Sequence, residues 1–231
     1  MGTLVTTRIE NSIATITMDD GKVNALSPDM LGQVGAALDE AEAATAAVVV
    51  LTGRPGVFTA GFDLGVLQAR GPEAEAMIRG GFELAARLLS FPAPVIIACT
   101  GHAVAMGSFL LLSGDYRIGA DGPYKIMANE VAIGMAVPVA AIEVCRQRLA
   151  PAQLSRALTL AETFPPAEAA LAGFLDLVVP EAELADATAA AARRLAALDR
   201  AAHTTTKLRL RAATVAAIRA DLEAAAAGLL A

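Results

Sequence analysis

Two short segments of the chain carry residues in an arrangement that could do chemistry. They are Phe58–Leu64, which reads Phe-Thr-Ala-Gly-Phe-Asp-Leu, and Gly101–Gly107, which reads Gly-His-Ala-Val-Ala-Met-Gly. Each follows an apolar run that predicts a buried strand, Val48–Leu51 and Val95–Ala98, and each leads into a segment that can begin a helix. Turns of this kind leave backbone N–H groups without intrahelical partners. Two such turns aimed at one point could stabilise charge that develops on a carbonyl oxygen.

One carboxylate, Glu130, is a candidate general acid/base. Its neighbours in the sequence are largely apolar: Ile126, Met127, Val131, Ile133 and Met135. Partial desolvation would raise the pKa of Glu130 toward neutrality, as a proton shuttle requires. Capping of a turn, or pairing with a surface arginine, is the alternative, and the local sequence alone favours it.

Other polar residues near these segments have structural explanations. We expect Asp63 to cap the helix that follows it rather than to act as an acid. Asn24 is expected to fix a turn through bonds from its side chain to the backbone. His102 is interpreted as a structural imidazole, and Cys99 and Cys145 lie in apolar contexts typical of inert thiols.

The composition limits the classes of function. The chain has 231 residues and a formal net charge of -6, so no global basic surface for nucleic acid is predicted. No stretch of about 18 apolar residues lacks a charge or a breaker, which argues against a membrane span. Two cysteines make a disulfide framework improbable and favour a reducing cytoplasm, and no Cys/His spacing suggests a metal site.

Strands and helices alternate along the first 180 residues, which predicts a layered α/β core. Residues 3–10 and 12–18 suggest a hairpin, and Ser27-Pro28 predicts a helix start. The predicted strands that follow are 47–52, 95–99, 116–119, 124–126 and 176–179, and the predicted helices are 28–43, 73–90, 105–113, 138–149, 151–161 and 166–172.

Beyond Pro180 the composition shifts to alanine, arginine and leucine without a strand pattern. This tail predicts two or three helices, at 181–198, about 203–210 and 211–229. Within it, the cluster of Lys207, Arg209 and Arg211 is interpreted as the solvated face of a helix, with anion binding as the alternative.

Four pieces of the chain together resemble the crotonase family of enoyl-CoA hydratases and isomerases. They are Val23–Leu26, Ala60–Leu64, Gly101–Arg117 and Asn129–Gly134, in the order and at the spacing of that family. The resemblance implies an α/β spiral of ββα repeats over residues 1–180 that binds acyl-CoA. Residues 181–231 would form a C-terminal helical region and an oligomer contact, in a homotrimer or a dimer of trimers.

The resemblance also implies site residues. The backbone N–H groups of Phe62 and Met106 would form an oxyanion hole around the thioester oxygen, with Glu130 as the catalytic carboxylate. The substrate would be held by Val23, Ala25, Ala60, Asp63, Leu64, Gly107 and Phe109. Many relatives have glycine where this chain has Met106, and a side chain there restricts the backbone torsions.

The glutamate pattern points to one reaction within the family. Hydratases of the family typically carry two glutamates that bracket a water molecule, and here Phe109 falls at the first position and Glu130 at the second. The pattern resembles the monofunctional Δ3,Δ2-enoyl-CoA isomerases. The resemblance implies that no metal or redox cofactor is needed, and coenzyme A enters as part of the substrate. A hydratase with a single glutamate and a catalytically silent acyl-CoA binder are the alternatives. Phe109 could line the acyl pocket or belong to the core.

Overall fold

The chain opens with a tight hairpin. In the computed structural model, which describes residues 2–226, strand β1 (Val5–Glu10) pairs antiparallel with β2 (Ile13–Met18). The turn falls at Asn11 and Ser12, whose φ angles are 49° and 62°. Positive φ at both central residues matches the right-handed twist of the flanking strands. The predicted hairpin is therefore confirmed.

A six-stranded sheet continues from this hairpin. Its further strands are β3 (Val48–Thr52), β5 (Val95–Cys99), β7 (Tyr116–Asp121) and β9 (Leu177–Pro180), in the order β1-β2-β3-β5-β7-β9. Every pair from β2 onward is parallel. Strands β3 and β5 are almost continuously apolar because both of their faces are covered.

A second, small sheet was not predicted as such. It consists of β4 (Gly56–Thr59), β6 (Gly101–Val104) and β8 (Ile126–Met127), paired in parallel in that order. The sequence analysis placed β4 and β6 within turns that directly follow β3 and β5. These strands have two to four residues, and β4 and β6 begin at glycines, so they give no period-two signal. The strand predicted at 124–126 overlaps β8 at Ile126. A β-carbon on Gly101 would overlap the Gly56 carbonyl, so β6 can begin this close to β4 only with glycine at position 101.

Nine helices cover the sheets within residues 2–226. Helix α1 begins at Pro28 as predicted, and the Met30 N–H donates to Ser27 Oγ at 3.2 Å. The helices are α1 (Pro28–Ala43), α2 (Leu64–Ala69), α3 (Pro72–Ser90), α4 (Met106–Leu112), α5 (Val139–Arg146), α6 (Pro151–Thr159), α7 (Pro166–Ala172), α8 (Leu184–Ala196) and α9 (Arg200–Ala226). None of them, over the described range, is long and apolar enough to cross a membrane.

The C-terminal helices pack on the same core as the rest of the chain. Helix α8 lies across the outer face of the six-stranded sheet, and Leu184, Ala191 and Ala192 join a second apolar cluster there. Helix α9 packs along α3 and α5. It is continuous, so the predicted break near residue 210 is wrong, since nothing in that stretch interrupts a helix. The predicted end at residue 229 lies outside the described residues.

The basic cluster of α9 is mostly buried, contrary to the prediction of a solvated face. Lys207 is 4% exposed and Arg211 is 5% exposed, whereas Arg209 is exposed as expected. Lys207 Nζ lies 2.6 Å from Asp115 Oδ2, and Arg211 Nη2 lies 3.0 Å from Asp115 Oδ1. Burial lowers the pKa of Lys207 to about 8, which the Asp115 carboxylate opposes. Residues four apart share one helix face, and this face meets a carboxylate distant in the sequence.

We expect Asp115→Ala to destabilise the fold severely. The substitution leaves Lys207 and Arg211 buried without a counter-charge, which typically costs about 3–5 kcal/mol of unfolding free energy. Urea denaturation followed by circular dichroism measures the change. The matched control is Arg209→Ala on the exposed face of the same helix, which should stay within about 0.5 kcal/mol of the parent. A loss below about 1 kcal/mol for Asp115→Ala would contradict this account.

Candidate functional site

The three candidate catalytic groups follow the carboxyl ends of the three strands of the small sheet. Phe62 follows β4, Met106 follows β6 and Glu130 follows β8, each within three residues of its strand. Because the strands are parallel and neighbouring strands lie about 4.7–4.9 Å apart, the residues emerge along one edge of the sheet. Met106 occupies the middle position.

The turns after β4 and β6 are in direct contact. Gly61 has a φ of +92°, and a β-carbon there would lie 2.9 Å from Val104 O and 3.4 Å from Met106 N. A β-carbon on Gly107 would lie 2.5 Å from Thr59 O. Both glycines are therefore required by close approach, and Gly61 also by its backbone conformation. The two turns that the sequence singled out are brought together at these glycines.

The amides of Phe62 and Met106 have no hydrogen-bond acceptor within residues 2–226. The amides that precede them are occupied: Gly61 N–H donates to Thr59 Oγ1 at 3.1 Å, and Ala105 N–H donates to Met127 O at 2.9 Å. Met106 is the first residue of α4, where a helix leaves N–H groups unsatisfied. Each turn thus offers an N–H group to an outside acceptor.

Backbone strain at the second turn falls on Ala105 and not on Met106. Ala105 has a φ of 51° and a ψ of -125°, whereas Met106 already has helical geometry. The side chain at position 106 therefore does not oppose the turn. Ala105 is held by its N–H bond to Met127 O, and its carbonyl accepts the N–H of Ser108 at 2.8 Å. Sequence reasoning missed Ala105 because alanine has no preference for positive φ.

Hydrogen bonds of Asn24 hold residues 23–25 against the first turn. Its buried side chain donates from Nδ2 to Met18 O at 2.9 Å and to Phe58 O at 3.1 Å. Thr59 Oγ1 donates to Asn24 O at 2.6 Å. The prediction that Asn24 fixes a turn through backbone bonds is confirmed.

The predicted substrate-binding residues divide into a surface group and a buried group. Val23, Ala60 and Leu64 are exposed and Ala25 is half-buried, all beside the first turn. Asp63 caps α2 as predicted, since Val66 N–H donates to Asp63 Oδ1 at 3.1 Å. Gly107 and Phe109 are buried, and the Phe109 ring stacks on Phe82 with centroids 6.2 Å apart. Contacts of these residues with a substrate stay predictions.

Glu130 is buried and unpaired. It is 7% exposed, and its Oε2 has no hydrogen-bond partner in the described part of the chain. No salt bridge to an arginine is found for it among residues 2–226, so the predicted alternative of a surface ion pair is wrong. Burial raises the pKa of Glu130, and the N–H of its own backbone opposes that shift.

The burial of Glu130 was expected from five apolar neighbours, and only some of them are buried. Ile126 is buried and Met127 is half-buried, whereas Val131, Ile133 and Met135 are 44%, 53% and 41% exposed. The tertiary fold therefore supplies part of the burial. Burial raises the pKa of the Cys145 thiol of α5, and the charge of Glu130 adds to that rise.

Other possible sites lie apart from these groups. The described residues contain no cluster of three or more His, Cys, Asp and Glu side chains that could hold a metal ion. A cavity of about 840 Å³ lies on the far side of the six-stranded sheet, between that sheet and α8, and none of the three candidate groups lines it. The arrangement of Phe62, Met106 and Glu130 can hold an oxyanion and move a proton beside it.

We expect Gly61→Ala to separate the two turns. The new β-carbon meets Val104 O at 2.9 Å in addition to the strain of positive φ, which alone costs roughly 1–2 kcal/mol. Gly56→Ala is the matched control, because its φ of +84° carries the same strain but open space surrounds the position. Thermal or urea unfolding should show a larger loss of stability for Gly61→Ala. Equal losses would show that the turns do not touch.

Comparisons with known proteins identify the family of the chain. Residues 8–228 match the family model described as enoyl-CoA hydratase/isomerase. Human mitochondrial enoyl-CoA delta isomerase 1 is 32% identical over 87% of this chain and 68% of its own length, and a probable enoyl-CoA hydratase of Mycobacterium avium is 35% identical over 79% and 71%. A solved structure described as the apo enoyl-CoA isomerase of Mycobacterium tuberculosis is 48% identical, with a TM-score of 0.93 over 97% of this chain and 98% of that one. The chain therefore belongs to the enoyl-CoA hydratase/isomerase family and has the crotonase fold.

Proposed function

We propose that the protein moves the double bond of a 3-enoyl-CoA to the 2-position. In this proposal Glu130 is the only general acid/base, and the backbone N–H groups of Phe62 and Met106 form the oxyanion hole. One observation carries it: a buried, unpaired carboxyl oxygen and two unpaired amides follow adjacent strands at one edge of the small sheet.

The reaction needs no group beyond these three. The thioester oxygen accepts hydrogen bonds from both amides while Glu130 removes a proton from C2. The electron pair of the broken C–H bond forms a dienolate, whose negative charge lies largely on the thioester oxygen. A preorganised donor is worth about 2.7–4 kcal/mol of barrier. Glu130 then returns the same proton to C4, so neither water nor a cofactor is consumed.

The environment of Glu130 suits this proton transfer. A base works best when its pKa lies near the working pH, and burial raises the pKa of this carboxyl group. Phe109 occupies the position where the hydratases carry their first glutamate, and its buried ring can neither orient water nor donate a proton. The relatives named enoyl-CoA delta isomerase support the same activity.

The coenzyme A portion would lie along the surface group beside the first turn. Val23, Ala60 and Leu64 are exposed and Ala25 and Asp63 are half-buried, so a nucleotide and its pantetheine arm could lie against them. Gly107 and Phe109 would face the acyl side. We propose no metal or redox cofactor, because proton transfer within a thioester requires none.

A hydratase with one glutamate is the second candidate, since a probable enoyl-CoA hydratase is among the relatives. A silent acyl-CoA binder is the third.

We also propose a homotrimer or a dimer of trimers in a reducing cytoplasm. Exposed apolar side chains follow Glu130, at Val131, Ile133, Met135 and Val139, and a subunit contact would cover them. Both cysteines are free and buried.

We expect Glu130→Gln to lower the isomerisation of a 3-enoyl-CoA at least about a hundredfold, because the amide cannot carry the proton. Mass spectrometry with separate scoring of isomerised, hydrated and hydrolysed products measures the effect. The control is Glu143→Gln, which makes the same chemical change at a carboxylate paired with Arg146. Unchanged turnover in Glu130→Gln would remove this residue from the mechanism, and dominant hydration in the parent would favour the second candidate.

The rate should depend on pH through the same carboxyl group. Glu130 must be ionised to accept the C2 proton, so kcat/KM is expected to fall on acidification as this residue becomes protonated. Because burial raises its pKa, the fall should be centred above the ordinary glutamate range. Steady-state rates from acid to neutral pH test this, with the Glu143→Gln protein as reference. A profile that stays flat down to the ordinary glutamate pKa would contradict it.

A further inference from the structure

Helix α3 carries two adjacent glycines in its interior, Gly80 and Gly81. Each costs about 0.8–1 kcal/mol of helix stability relative to alanine, so each calls for a reason. A β-carbon on Gly80 would meet only Leu31 Cδ1, at an ordinary 3.6 Å. A β-carbon on Gly81 would lie 2.5 Å from the Phe62 ring atoms Cε1 and Cζ. Only at Gly81 does the missing side chain leave a notch in the helix surface that another side chain fills.

Side chains of both amide donors meet at this notch. The same β-carbon position on Gly81 lies 3.5 Å from Met106 Cε. The Phe62 ring also packs edge-on against Phe82, with centroids 6.5 Å apart and planes at 69°. The two residues whose N–H groups are unpaired thus turn their side chains to a single point of α3, and an apolar wall forms beside the amides.

The space behind the Phe62 ring is filled. Phe82, on which the Phe62 ring packs, is 2% exposed, and it stacks in turn on Phe109, which is 1% exposed. The Phe62 ring is only half-buried, so it is the member of this wall that faces the accessible side. Packing at this density leaves no room for a further chain of methylene groups unless the ring moves.

We propose that Gly81 seats the Phe62 ring, and that the seated ring limits the length of the acyl chain that the site accepts. This inference rests on the proposed binding of the thioester oxygen to the Phe62 and Met106 amides. An oxygen held there places the acyl carbons beside the side chains of the same two residues. The protein therefore selects thioesters with short acyl groups. Gly81 is a positioning residue and Phe62 determines specificity through its side chain.

Binding of saturated acyl-CoA thioesters tests the inference without catalysis. Isothermal titration calorimetry gives the Kd of butanoyl-, hexanoyl-, octanoyl- and decanoyl-CoA for the full chain and its variants. The parent should bind the two shorter thioesters more tightly than decanoyl-CoA. Phe62→Ala retains the backbone N–H and removes the ring, so it should improve decanoyl-CoA binding at least about tenfold relative to butanoyl-CoA, a ratio in the range expected for a resized apolar pocket.

Gly81→Ala and Gly80→Ala form a matched pair on adjacent positions of one helix. Gly81→Ala displaces the ring toward the amides and should weaken binding of every thioester about tenfold or more. Gly80→Ala should leave each Kd within about twofold of the parent, because its β-carbon makes only an ordinary contact. In the double variant Gly81→Ala with Phe62→Ala the ring is gone, and the chain-length profile of Phe62→Ala should return. A purely structural role of Gly81 would not produce this rescue.

The outcomes separate this inference from the proposed function. An unchanged chain-length profile in Phe62→Ala overturns the inference even where 3-enoyl-CoA isomerisation is found. A shifted profile supports it even where hydration is the only reaction detected. No binding of any acyl-CoA overturns both. If Gly81→Ala does not fold, Phe62→Ala alone decides.

Discussion

The contact between the turns after β4 and β6 is the constraint on which the site depends. Gly61 lies so close to Val104 O and Met106 N that a β-carbon would not fit between the turns, and Gly107 closes on Thr59 in the same way. This approach brings the turn that carries the unpaired Phe62 amide against the turn that carries the unpaired Met106 amide. The parallel pairing of β6 with β8 then delivers Glu130 to the same edge. Main-chain geometry, and not side-chain chemistry, brings most of the candidate site together.

Helix α4 links the second turn to polar contacts at its own C-terminal end. It begins at Met106, and Gln147 Nε2 donates to the carbonyl of its last residue, Leu112. Arg148 and Arg211 donate to Gly114 O and Ser113 O, which lie just beyond the helix. Cations are favourable at a helix C-terminus because they complement the helix dipole. Asp115 neutralises Arg211 and also accepts the Val95 N–H of β5 at 2.8 Å. The C-terminal helix α9, which carries Arg211, therefore belongs to the framework that fixes the second turn.

Local signals predicted a large part of this fold. The hairpin at Asn11-Ser12, the Ser27 cap and the buried strands at 48–52 and 95–99 all depend on neighbours in the sequence, and all are confirmed. Strands β4 and β6 were placed within turns, and the strand predicted at 124–126 overlaps β8 only at Ile126, because two to four residues carry no period. The solvated face assigned to Lys207 and Arg211 was wrong, because their partner Asp115 lies about ninety residues earlier in the chain.

The order of residue types thus sufficed to indicate the family, through four short pieces and their spacing, and to single out the two glycine turns and Glu130 as candidates. Three-dimensional packing determined the rest. It left the two amides unpaired, placed the strained backbone conformation at Ala105, and buried Glu130 although three of its apolar neighbours are exposed. Desolvation and hydrogen-bond satisfaction are sums over everything that surrounds an atom. Those surroundings come from strands and helices far apart in the chain, so no local pattern can encode them.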